Sequence, residues 1–105
     1  MSSAEAAALF AALADPTRLA LIERLADGAP RPIVALAAGT ALTRQAVTKH
    51  LAVLRGAGLV ARRPAGRETL YALRPAPLAE ARAWLDEVGG QWEAALDRLK
   101  AHVEG

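Results

Sequence analysis

At Gly56-Ala57-Gly58 the hydrophobic period of the chain changes, and this restricts the available folds more than any other feature. Before it, Ala46, Val47, Leu51 and Leu54 recur at helical spacing behind Thr43, a residue suited to cap a helix N-terminus. The stretch from Thr43 to about Arg55 therefore reads as one helix. After it, residues 59–63 and 69–73 read as two strands. They flank Pro64-Ala65-Gly66-Arg67-Glu68, a turn long enough to protrude as a hairpin.

Upstream, a short helix from about Ile33 to Ala38 is expected to bury Ile33, Leu36 and Ala37. Gly39-Thr40-Ala41 then forms a tight turn. A short helix and a longer one joined by a glycine turn make a helix-turn-helix, here about 33–55. The basic hairpin behind it, about 59–74, makes a wing. Earlier still, residues from Ser3 to Ala14 read as a helix with Leu9, Phe10 and Leu13 on one face. Asp15-Pro16 stops that helix and starts the next, whose apolar face is Leu19, Ile22 and Leu25. Pro30-Arg31-Pro32 reads as a rigid connector. Pro75 and Pro77 separate the hairpin from a last helix, about 78–104, striped by Leu78, Leu85, Val88, Trp92, Leu96, Leu99 and Val103. Gly89-Gly90 inside that helix costs roughly 1 kcal/mol per glycine relative to alanine, which suggests a close approach or a bend. The whole is a single mostly α (α+β) domain spanning 1–105, a winged helix-turn-helix with a two-stranded β-hairpin.

Charge narrows the class of partner. The formal net charge is only +2, from 13 Lys and Arg against 11 Asp and Glu. Between Thr43 and Arg74, however, seven basic residues (Arg44, Lys49, Arg55, Arg62, Arg63, Arg67, Arg74) face the single acid Glu68. Such asymmetry in a short chain points to an anionic partner. With no cysteine, disulfides, thiolate metal sites and cysteine nucleophiles are absent. The two histidines are far apart, and no acidic pair sits in a recognisable cleft, so no catalytic set is expected. No apolar run approaches a membrane span and no signal peptide is read at the N-terminus, so a cytoplasmic protein is expected.

Within the helix 43–55, inward-facing Val47, Leu51 and Leu54 leave Arg44, Gln45, Thr48, Lys49 and Ala52 outside or on the flanks. Arg, Gln and Thr on an exposed N-terminal half suit base edges in a major groove. Arg44, Gln45 and Thr48 are assigned to bases, with Arg44 equally suited to phosphate. Thr43 and Lys49 are assigned to phosphates. His50 is either a phosphate contact or a packing residue with one satisfied hydrogen bond. Arg55 and the wing residues Arg62, Arg63 and Arg67 complete the expected surface, which would meet double-stranded DNA.

The motifs Asp15-Pro16-Thr17-Arg18, Val47-Thr48-Lys49-His50-Leu51 and Leu54-Arg55-Gly56-Ala57-Gly58-Leu59-Val60, with Gly66-Arg67 and Tyr71 in the hairpin, resemble the arsenic-repressor (ArsR) family. The resemblance covers nearly the whole chain. It implies a homodimeric repressor bound to an inverted-repeat operator, paired through the first and last helices with Leu9, Leu85, Val88, Trp92, Leu96 and Leu99 at the interface. Trp84-Leu85 and Trp92 resemble a branch without the metal-sensing cysteines. The short helix, Ile33-Val34-Ala35-Leu36, holds no ligand, and the last helix has a single histidine, His102. Neither metal nor cofactor is expected, and the sequence identifies no effector. Two rival readings remain: a protein-interaction module that keeps the winged fold, or a small-molecule-binding or enzymatic protein, which should show a deep pocket with convergent polar groups.

Overall fold

In a computed structural model describing residues 1–104, five helices surround a small sheet in the order α1 (Ser3–Leu13), α2 (Pro16–Leu25), β1 (Arg31–Pro32), α3 (Ile33–Ala37), α4 (Arg44–Gly56), β2 (Val60–Ala65), β3 (Glu68–Leu73) and α5 (Pro75–Glu104). The local signals placed most boundaries. Ser2, Asp15 and Thr43 cap α1, α2 and α4 by accepting the backbone N–H three residues on. Pro16 opens α2 at its first position, where its missing N–H costs nothing. At the end of α4, the Leu59 N–H reaches the Leu54 carbonyl at 3.0 Å and the Gly58 N–H that of Arg55 at 3.0 Å. That is a Schellman closure, and Gly58 adopts the positive φ of 77° that it requires.

The core gathers Leu9, Ala12, Leu21, Leu25, Leu36, Val47, Leu51, Leu54, Leu59, Val60, Tyr71 and Ala81. On α2 the buried pair is Leu21 and Leu25, while Leu19, expected inside, is 46% exposed. At 100° per residue Leu19 lies roughly 140° around the helix from that pair. Leu9 also departs from expectation. It is 3% exposed within the single chain, so it belongs to the core and has almost no area left for a second copy.

The sheet has three strands rather than two, in the antiparallel order β1-β3-β2. The Pro30-Arg31-Pro32 connector supplies the third, pairing Arg31 with Tyr71 and Pro32 with Leu70. A two-residue edge strand tolerates proline, because no further strand needs its donor. The hairpin is also tighter than its sequence suggests. Ala65 pairs with Glu68, leaving only Gly66 and Arg67 in the turn. Gly66 has φ +63° and no non-glycine residue has positive φ, the glycine-first pattern of a type II′ turn.

α5 begins at Pro75, not after Pro77, because both prolines fall within its first turn, where no intrahelical donor is needed. It runs 30 residues without interruption through Gly89-Gly90. A Cβ added at either glycine would meet nothing within 4 Å, so close packing within the chain does not explain the pair. Only the start of α5 is seated: Ala81 is buried, and Trp84 stacks at a tilt on Phe10 of α1 with ring centroids 5.9 Å apart. The rest projects, giving extents of 68 × 25 × 23 Å.

Candidate nucleic-acid interface

α4 is held from its inner side by Val47, Leu51 and Leu54, none with any exposed surface. Thr43, Arg44, Gln45, Thr48 and Lys49 are exposed along its N-terminal half. At 100° per residue Gln45 and Lys49 lie directly opposite the buried stripe, while Arg44 and Thr48 lie on one flank and His50 on the other. The Thr43 hydroxyl accepts the Ala46 N–H at 3.1 Å, committing that oxygen to the cap. The Thr48 hydroxyl donates to the Arg44 carbonyl at 2.8 Å. Its donor is thus spent within the helix, leaving its methyl group and the remaining acceptor capacity of the oxygen.

The C-terminal end of α3 is held by a contact that sequence reasoning missed. One Nη of Arg24 on α2 donates to the carbonyls of Leu36 at 2.9 Å and Ala38 at 2.8 Å, satisfying the end of this five-residue helix. Thr40 adds a bond from its hydroxyl to the Ala37 carbonyl at 2.6 Å. The Ala37 carbonyl also accepts the Thr40 backbone N–H at 3.1 Å, so the exposed carbonyls at the end of α3 are shared out between Arg24 and Thr40.

The wing does not present its arginines together. Arg62 pairs across with Tyr71 and shares the face of Val60, whereas Arg63 pairs with Leu70 on the opposite face. Both side chains are exposed, and they cannot serve one phosphate. Arg67 at the tip is different. It lines a cavity of about 370 Å³ together with Arg44, Ile33, Val34, Thr69 and the acid Glu68, which forms no ion pair there, so the start of α4 and the wing tip share one concave surface. Arg55 is half-buried at the far end of α4, roughly 16 Å along the axis from Arg44. It lies outside the surface that Arg44 and Arg67 share.

Electrostatics leave this surface free. Among the described residues the ion-pair contacts are Arg31–Asp27 and His50–Asp15, so no basic side chain of the N-terminal half of α4 or of the wing, apart from half-buried His50, has an acidic partner. The Asp15 carboxyl is held below the ordinary aspartate value of 3.8, chiefly by the Arg18 N–H that it accepts. A smaller desolvation acts the other way, and the charges of Arg18 and His50 add to the lowering. The folded state therefore favours ionised Asp15. Its contribution is complete above 3.8 and declines as pH falls through the lower folded value. Asp15→Asn keeps a capping oxygen but cannot titrate, so its urea midpoint should fall less steeply with acid than that of the parent. Parallel acid profiles for the two proteins would refute this.

On α5, Leu85, Val88, Trp92, Leu96 and Leu99 are 51%, 42%, 64%, 44% and 59% exposed. They form an apolar stripe that the chain itself does not cover. Among the described residues no cluster of three or more His, Cys, Asp or Glu is placed to hold a metal ion. No described helix is long and apolar enough to cross a membrane.

Comparison with known proteins agrees with this geometry. Residues 13–63 match a family model described as a helix-turn-helix domain. The chain is 47% identical over 85 residues to the HTH-type transcriptional regulator Rv2034 of Mycobacterium tuberculosis, covering 81% of this chain and 76% of that protein. The solved structure of an ArsR-like transcriptional regulator from Rhodococcus superposes with a TM-score of 0.82 at 36% identity, covering 93% of this chain and 92% of that one. The winged helix-turn-helix DNA-binding domain of Mb0332 from Mycobacterium bovis, described as homodimeric, gives 0.65 at 28% identity over 83% of this chain and 80% of its own. The chain belongs to the ArsR family of winged helix-turn-helix, DNA-binding transcriptional regulators.

Proposed function

We propose that the protein is a cytoplasmic repressor that binds an inverted-repeat operator as a homodimer, with α4 in the major groove and the wing on the flanking backbone. The observation that carries the reading is the exposed N-terminal half of α4. Cationic and amide side chains stand there without acidic partners, and Arg44 shares a concave surface with Arg67 of the wing. Gln45 faces straight out from the buried stripe and suits adenine, while the Thr48 methyl suits thymine. Lys49 and the wing arginines suit phosphates, which position the protein without reading sequence. The uncovered stripe of α5 suits a second copy, since large apolar side chains left in water forgo about 1.5–3 kcal/mol each.

Selection of bound sequences from random duplex DNA tests this. The enriched sites should be inverted repeats with half-site centres one helical turn apart, about 34–36 Å. Each half-site should contain a thymine that depends on the Thr48 methyl. On such a site Thr48→Val should bind about as well as the parent, because it keeps the methyl and gives up only an intrahelical bond. Thr48→Ser should lose discrimination at that base pair. Enriched sites without dyad symmetry, or Thr48→Val binding far worse than Thr48→Ser, would overturn the assignment.

A further inference from the structure

Arg18 of α2 joins three elements. Its Nε donates to the Ala12 carbonyl at 2.5 Å and an Nη to that of Ala11 at 3.3 Å, both near the end of α1. Its other Nη lies 3.5 Å from Nδ1 of His50 on α4. A guanidinium has no acceptor, so it donates here and Nδ1 supplies the lone pair. Neutral His50 therefore carries its proton on Nε2. The Asp15 carboxylate already accepts the Arg18 N–H at 3.0 Å, and its 3.8 Å separation from Nδ1 exceeds hydrogen-bond length.

We propose that Arg18 is a positioning residue for DNA binding, acting through His50 to fix the rotation of α4. The inference rests on α4 being the element that enters the groove. Val47, Leu51 and Leu54 seat α4 on the core and set which face turns inward, and the Arg18–His50 contact adds a polar constraint at one flank. His50 lies on the flank away from Arg44 and Thr48, and its contact with Arg18 is directional. A rigid link from the end of α1 to that flank sets the direction in which Gln45 and Lys49 face.

A double-mutant cycle tests the link, with Arg18→Gln and His50→Phe measured singly and together on the selected operator. Arg18→Gln should lower affinity about tenfold in the parent and by no more than about twofold in the His50→Phe background, the non-additivity expected of residues in contact. Arg18→Lys keeps the charge but cannot reach all three acceptors, so it should fall between. The imidazole ¹⁵N resonances give a second readout. In its neutral form His50 should show the Nε2–H tautomer in the parent and a mixture in Arg18→Gln. Equal losses in both backgrounds, or an unchanged tautomer, would overturn the proposal. If Arg18→Gln does not fold, Arg18→Lys replaces it in the cycle under the same criteria. Failure of the underlying reading is separable: Gln45→Ala would then leave operator binding untouched.

Discussion

A Leu96→Asp chain should sediment as a monomer at micromolar concentration and bind operator at least about a hundredfold more weakly than the parent. Leu96 is 44% exposed and lies in the middle of the stripe that runs from Leu85 to Leu99. A carboxylate there would have to enter an apolar interface without a partner, a cost large enough to prevent association. The core should be unaffected, because its members end at Ala81, well before Leu96 along α5. Thermal unfolding of the variant should therefore still show a cooperative transition. The affinity loss follows from losing the second half-site, since two linked contacts exceed one by factors of about 10²–10⁴. Dimeric Leu96→Asp, or a monomeric parent, would show that α5 does not join two copies.

Arg67→Ala and Gln45→Ala should fail in opposite ways. Arg67 is exposed at the turn of the wing and ends in a long side chain, so it suits a phosphate oxygen better than a base edge. Its loss should weaken operator and random DNA alike. With two wings per dimer, the salt dependence should flatten by nearly two units of slope, at about 0.9 per phosphate. Gln45 is uncharged and projects from a helix braced by three fully buried side chains. Its loss should remove about 1–3 kcal/mol of discrimination per half-site while leaving the salt slope close to that of the parent. Binding isotherms over a salt series on both DNAs check both outcomes. Equal losses on operator and random DNA for Gln45→Ala would remove α4 from the groove.

What the sequence revealed was local. Thr43, Gly58 and the spacing of Val47, Leu51 and Leu54 determine the start, end and inner face of α4 within a few residues of themselves, and all were legible. The strand Arg31–Pro32 was not, because its partner Tyr71 lies far along the chain and two residues carry no period. Leu9 is not legible as a core residue because α1 is apolar nearly all round, with alanine at six of eleven positions, so its period does not say which face turns inward. Arg18 and His50 are 32 residues apart, and nothing in either local pattern announces their contact. The hairpin was legible as a wing but not as a tight one, since Pro64 and Ala65 resemble turn residues while pairing as strand.

The projecting part of α5 has a consequence for gene dosage. Past Trp84 almost nothing in the protomer covers the helix, and Gly89-Gly90 weakens it where neighbours are absent. Helices in proteins draw most of their stability from packing an amphipathic face, so the uncovered segment gains order on association. Folding of the arm and pairing of two copies then form one equilibrium, and its midpoint is a protein concentration. Below that concentration most protomers of the proposed dimer are unpaired. The number of pairs rises there with the square of the amount made, and above the midpoint only in proportion to it, so the response to synthesis is sharpest below the midpoint.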